Sequence, residues 1–114
     1  MTKWPRFAAM PEPPYYVVIF ANQLSDRPEG YKEMLSEMEE LATGMPGYIG
    51  RETARDESGF GMAISYWEDE VAVKGWKAQA DHLGGQKIGK ERWYSHYVLR
   101  VAKVERHYDG PEGR

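Results

Sequence analysis

The chain reads as one α+β domain in the order βαββαβ: a four-stranded antiparallel sheet with two helices on one face, the ferredoxin-like arrangement. Three observations predict it. Four β-branched and aromatic runs are bounded by turn residues. Two segments carry apolar residues every three or four positions. The segments alternate as strand, helix, strand, strand, helix, strand, with a hairpin-like turn between the middle two.

Residues 1–14 hold Pro5, Pro11, Pro13 and Pro14, which remove backbone donors and fix φ, so they form an extended arm. "YYVVIFAN" (15–22) is a buried strand. "SDRPEG" then starts a helix: Asp26 and Glu29 stand three apart as in a capping box, and Pro28 falls in the first turn, where its missing N–H is harmless. Tyr31, Met34, Leu35, Met38, Leu41 and Ala42 form the helix's apolar stripe, opposite Glu33, Glu37 and Glu40. Gly44 is placed as the residue after the helix, and Pro46-Gly47 stops it.

"YIGRETAR" (48–55) and "GFGMAISYW" (59–67) are strands joined by the turn "DESG". Glu68, Asp69 and Glu70 put negative charge at the next helix N-terminus, where the macrodipole favours it. Val73, Trp76, Ala80 and Leu83 mark that helix's apolar face, and Gly84-Gly85 is expected to break or kink it. A short helical piece is expected over "QKIGKERWY" (86–94), and the last strand over 96–108. The tail 109–114 has the composition of a flexible end. The domain thus spans 15–108.

The first and last strands are apolar on both sides. Val17, Val18, Ile19 and Phe20 run consecutively, so the sheet face away from the helices needs cover. A second copy related by a two-fold axis supplies it, which predicts a homodimer joined through sheet faces.

Composition narrows the function. The 114 residues carry a net charge of −3, too small to point to nucleic acid as a partner. The late basic residues, among them Lys87, Arg92 and Arg106, balance the acidic first helix. Cysteine is absent, which removes thiolate chemistry and fits a reducing cytoplasm. No segment reads as a signal peptide or a membrane span. "GGQKIGKE" (84–91) approaches a phosphate-binding loop but ends in Glu91, where a hydroxyl should hold magnesium, and it follows a helix. His82, His96 and His107 lack metal-ligand spacing, so no metal is expected. Aromatic residues reach 13%, with four Trp and eight Tyr. Such side chains line cores, interfaces or pockets.

Several stretches, in order, carry a resemblance: "VIFANQL", a "GY" leading into an acidic helix, "MPGYIG", "SYWEDEVAVKGWK" and "WYSHYVLRVAKVER". Over residues 15–108 the chain resembles the antibiotic biosynthesis monooxygenase family, whose fold is the dimeric α/β barrel. The resemblance implies a cavity inside each protomer, between sheet and helices. It implies oxygenation of an aromatic substrate with O2 and no cofactor. A haem-degrading branch of the family uses an Asn, a Trp and a His ten residues after that Trp. Asn22 and Trp76 match the first two, but Gln86 stands where the His would be.

The expected site follows. Asn22 and the Trp76 indole N–H are donors that stabilise a substrate anion, with His82 as base. Tyr66, Trp67, Gln86, Trp93 and Arg100 are further substrate-binding candidates, with Tyr94 beside them. Alternatives stand against each. Asn22 also suits a turn, Trp67 and Trp76 suit core packing, and Arg100 also suits a sheet edge. The substrate expected is small and phenol- or quinol-like. The alternative functions are a non-catalytic ligand-binding dimer and a haem-degrading enzyme.

Overall fold

The structure, a computed structural model, describes residues 3–26, 29–86 and 93–111, with side chains of 83–86 outside the description. The element order is β1 (Tyr15–Leu24), α1 (Tyr31–Thr43), β2 (Tyr48–Arg55), β3 (Phe60–Trp67), α2 (Glu70–Gln86) and β4 (Tyr94–Val104). The sheet is antiparallel in the order β2-β3-β1-β4, so β1 and β3 are central and both helices cross one face. This is the ferredoxin-like α+β arrangement.

Register determines which side chains meet the helices. Val18, Phe20 and Asn22 of β1 face them, opposite Ser65, Ala63 and Gly61 of β3 and Val101, Leu99 and Tyr97 of β4. On β2, Arg51, Thr53 and Arg55 continue the same rows. Two apolar clusters form under this face. One holds Val18, Ala42, Trp67, Ala72 and Val73, and the other Tyr31, Met34, Trp93 and Tyr94.

β1 runs two residues further than expected, to Leu24, and the ends of the elements depart from the sequence reading in four further places. First, the helix-starting box on Asp26 and Glu29 does not form. Gly30 caps α1 with φ 81°, no side chain caps it, and Pro28 lies outside the described residues. A glycine reaches that left-handed conformation without steric cost, which lets the chain turn directly into Tyr31. Second, Gly44 caps α1 in a right-handed conformation, and the left-handed turn comes at Gly47, φ 83°. A Cβ on Gly47 would stand 2.5 Å from Ala72 Cβ, so this glycine lets the start of β2 lie against α2. Third, α2 continues through Gly84-Gly85 to Gln86 rather than breaking there. Its start follows expectation: Asp69 Oδ1 accepts the Ala72 N–H at 2.8 Å, an N-cap bond. Fourth, β4 runs over 94–104 rather than 96–108, and the helical piece expected over 86–94 falls largely on 87–92, outside the described residues. The hairpin turn is closed by Asp56, whose Oδ1 accepts from Ser58 N, Ser58 Oγ and Phe60 N, while Gly59 takes φ 91°. These bonds hold the Asp56 carboxyl below the usual range, the Ser58 hydroxyl contributing most.

On the outer face, Tyr15 and Val17 are buried without any second chain. The Pro-rich arm crosses β2 there, where the Ala8 N–H donates to Glu52 Oε2 at 2.9 Å and Arg6 donates to Thr53 O. Beyond β4, His107 Nδ1 meets the Tyr15 hydroxyl at 2.6 Å. Phe60 and Met62 on the same face stay 43% and 41% exposed.

Candidate functional site

Between the sheet and the helices lies a cavity of about 220 Å³. Its wall draws on both apolar clusters. Val18, Phe20 and Leu99 form the sheet side, Met34 and Met38 come from α1, and Trp76 and Ala80 from α2. Among the described residues, the charged lining side chains lie toward solvent and pair with one another: Arg51 with Glu39 at 3.6 Å and Lys77 with Asp81 at 2.6 Å. The interior is therefore apolar and aromatic, with its lining charges matched at the rim.

One end is polar. Asn22 is 2% exposed and lines the cavity. Its Nδ2 donates to Phe20 O at 3.2 Å, and its Oδ1 accepts from Arg55 Nη2 at 2.8 Å. The same Nη2 donates to the Tyr31 hydroxyl oxygen at 2.9 Å, with the guanidinium 5.5 Å from the Tyr31 ring centroid. Tyr31 packs edge-to-face on Tyr94, and the two hydroxyls are hydrogen-bonded. Burial first, and then Tyr31, push the Tyr94 phenol far above its ordinary value, so Tyr94 keeps its proton. Trp93 closes this end, donating its indole N–H to Glu29 O at 2.8 Å.

Local sequence explains why Arg55 reaches Asn22. The two stand on either side of Gly61 in the register, on β2 and β1 with β3 between. A Cβ on Gly61 would lie 2.9 Å from Arg55 Cζ and 2.8 Å from Ala54 O. The bare glycine leaves the gap that the guanidinium crosses.

The expected site residues divide. Asn22, Trp76, Trp93 and Tyr94 line the cavity. Trp67 does not: it is fully buried, stacked on Trp76 at 5.7 Å and 20°, and its indole N–H donates to Ser65 Oγ at 2.9 Å. It backs the wall that Trp76 presents. Tyr66 alternates to the outer face, where its hydroxyl donates to Glu52 at 2.7 Å and its ring meets Tyr15 edge-on. Arg100 lies on that outer face too, opposite Ile19, and is exposed. His82 is exposed and does not line the cavity, one position past Asp81 on α2, so the base expected there is not at the site. The Gln86 side chain lies outside the described residues. Sequence reasoning missed Arg55 and Tyr31. The signal was there: alternation in "YIGRETAR" puts Arg51, Thr53 and Arg55 on one strand face. Among the described residues no three His, Asp or Glu side chains gather as metal ligands, and no helix is long and apolar enough to cross a membrane.

No family model matches the chain. The uncharacterized protein YqjZ of Bacillus subtilis is 41% identical over 96 residues, 84% of each chain. Among solved structures, SnoaB of Streptomyces nogalater, a cofactor-independent oxygenase, aligns with a TM-score of 0.65 at 12% identity, over 87% of this chain and 99% of its own. A putative antibiotic biosynthesis monooxygenase from Nitrosomonas europaea gives 0.61 at 13% identity, over 85% and 93%. Another, from Chloroflexus aurantiacus, gives 0.54 at 17%, over 84% and 99%. The chain belongs to one family with YqjZ, and its fold is that of the antibiotic biosynthesis monooxygenases.

Proposed function

We propose that the cavity is the site of a cofactor-independent monooxygenase that oxidises a small phenol- or quinol-like substrate with O2. The observation that carries this reading is the aromatic cavity between sheet and helices, closed at one end by Asn22, Tyr31 and Tyr94. An apolar cavity of about 150 Å³ takes up benzene, so 220 Å³ suits one or two fused rings.

Triplet O2 reacts slowly with closed-shell molecules, and an electron-rich carbanion or phenolate overcomes this by passing it one electron. At an activated methylene carbon, loss of a proton gives the carbanion, which combines with O2 to a peroxide anion. After protonation, loss of water leaves a carbonyl. The methylene has then lost two hydrogens and gained one oxygen atom, and the second oxygen atom leaves with those hydrogens as water. The chain supplies flat apolar walls, including Trp76 and Phe20, and amide and hydroxyl donors where negative charge develops. Asn22 Nδ2 has a second hydrogen beyond the one given to Phe20 O. With His82 outside the cavity, the proton leaves to water at the rim, or the substrate enters already ionised.

The test is oxygen uptake with anthrone- and hydroquinone-type probes. Uptake above autoxidation, lost in an Asn22→Ala/Trp76→Leu double variant, supports the reading. Uptake unchanged in that variant refutes the site. Saturable binding of the probes without uptake leaves the same cavity as a non-catalytic binding site. We also read the exposed Phe60–Met62 strip of the outer face as a contact between two copies. Light scattering at twice 13.1 kDa supports this and a 13.1 kDa particle refutes it.

A further inference from the structure

We propose that Arg55 is a positioning residue that makes the polar end of the cavity a set of hydrogen-bond donors, so that the cavity binds its aromatic ligand as the phenolate. The inference rests on the reading of the cavity as an aromatic site.

A guanidinium has five donors and no acceptor, so whatever it touches must accept. Arg55 Nη2 takes Asn22 Oδ1 and the Tyr31 oxygen, and Nη1 takes Gly59 O. The first two contacts decide the direction of groups that could have turned either way. The guanidinium on its oxygen fixes the way the Asn22 amide faces, and Nδ2 keeps one hydrogen beyond the one given to Phe20 O. Tyr31 and Tyr94 share one hydrogen bond, which uses one of their two hydroxyl hydrogens and leaves the other to give. The amide and the tyrosine pair thus each keep a hydrogen to give, with an oxygen already turned to Arg55.

Charge points the same way. Among the described residues the charged side chains that line the cavity are Glu39 with Arg51 and Lys77 with Asp81, which cancel in pairs at the rim. Arg55 bonds three neutral oxygens and, among the described residues, forms no ion pair. Its positive field extends through Tyr31 to Tyr94. A neutral phenol meets these donors with a weakly basic oxygen. A phenolate meets them with a full negative charge, among buried side chains, and charge-assisted bonds are about twice as strong as neutral ones.

The experiment uses the full chain and 4-nitrophenol, whose ionised form has its own visible band. Binding is followed by tryptophan quenching on both sides of the probe's pKa, with 4-nitroanisole as the form that cannot ionise. The phenolate is expected to bind about tenfold more tightly than the phenol or the anisole, since charge-assisted bonds are stronger than neutral ones and part of that gain is lost in desolvating the anion. In Arg55→Met the preference is expected to fall to near unity, with affinity for the anisole retained. Arg55→Lys keeps the charge but not the fork, and is expected to recover only part of the preference. Equal binding of phenolate, phenol and anisole by the unsubstituted protein overturns the inference and leaves the cavity reading standing. A phenolate preference that survives in Arg55→Met also overturns it. If Arg55→Met does not fold, Tyr31→Phe decides: retention of the full preference overturns the two-donor account. No saturable binding of any probe overturns the aromatic-site reading itself.

Discussion

Gly47 gives a sharp test of how α2 is held against the sheet. Replacing it with Ala forces an L residue to φ 83° and drives a Cβ to 2.5 Å from Ala72 Cβ. The conformational cost is about 1–2 kcal/mol. Carbon atoms pack at roughly 3.5–4.0 Å, so about an ångström of overlap must be relieved by moving α2, at about 1–3 kcal/mol. Gly47→Ala should therefore destabilise the fold by about 2–5 kcal/mol. Ala72→Gly alone should cost about 1–2 kcal/mol, from helix propensity and one buried methyl. Combining the two removes the overlap. The double variant should then be less destabilised than the sum of the singles by about 1–3 kcal/mol, a large interaction energy for neighbours. Urea unfolding followed by tryptophan fluorescence, at unchanged m, measures each corner. Additivity within about 0.5 kcal/mol would refute the close-approach argument.

Trp67→Phe should cost about 1–3 kcal/mol in the same assay, from lost packing and the Ser65 bond, yet leave nitroanisole affinity within about twofold, the resolution of such titrations. A tenfold loss of affinity would place Trp67 in the site after all. Asp56→Ala should lower stability at neutral pH. The Asp56 carboxyl lies below its ordinary 3.8 when folded, so its contribution is complete above 3.8 and is lost as pH falls below that through the folded value. The gap between variant and parent in an acid melt series should accordingly close only there, and a gap closing near neutrality would point to another group. A haem titration should show no saturable Soret shift, because no histidine lines the cavity among the described residues. Stoichiometric binding with loss of the band on ascorbate would return the haem-degrading reading.

The periodic parts of this fold were legible. The stripe from Tyr31 to Ala42 is buried or half-buried as spaced, and β2 matches 48–55. Ends were less so, because competing signals read alike. "SDRPEG" has the composition of a capping box, but Gly30 in a left-handed conformation serves instead. Two glycines at 84–85 looked like a break, yet about 1 kcal/mol each does not stop a helix already under way. At the site, residues facing the cavity from regular elements, Asn22 and Trp76, could be placed. Arg100 could not, since a strand apolar on both sides hides which face meets the helices, and Tyr66 adjoins Trp67, two aromatics in a row that likewise give no alternation. Arg55 was missed for a related reason. Its partners come from β1 and α1, and the gap it crosses is the absence of a side chain at Gly61.

The Trp67–Trp76 stack has an optical consequence. Two indoles nearly parallel at 5.7 Å share their excited states, so circular dichroism should carry an exciton couplet that neither ring would show alone. One partner is sealed in the interior and the other borders the cavity. A ligand lying against Trp76 should reshape the couplet while the backbone signal stays still, and unfolding should abolish both together. The protein thereby reports occupancy and integrity on separate channels, with no label attached.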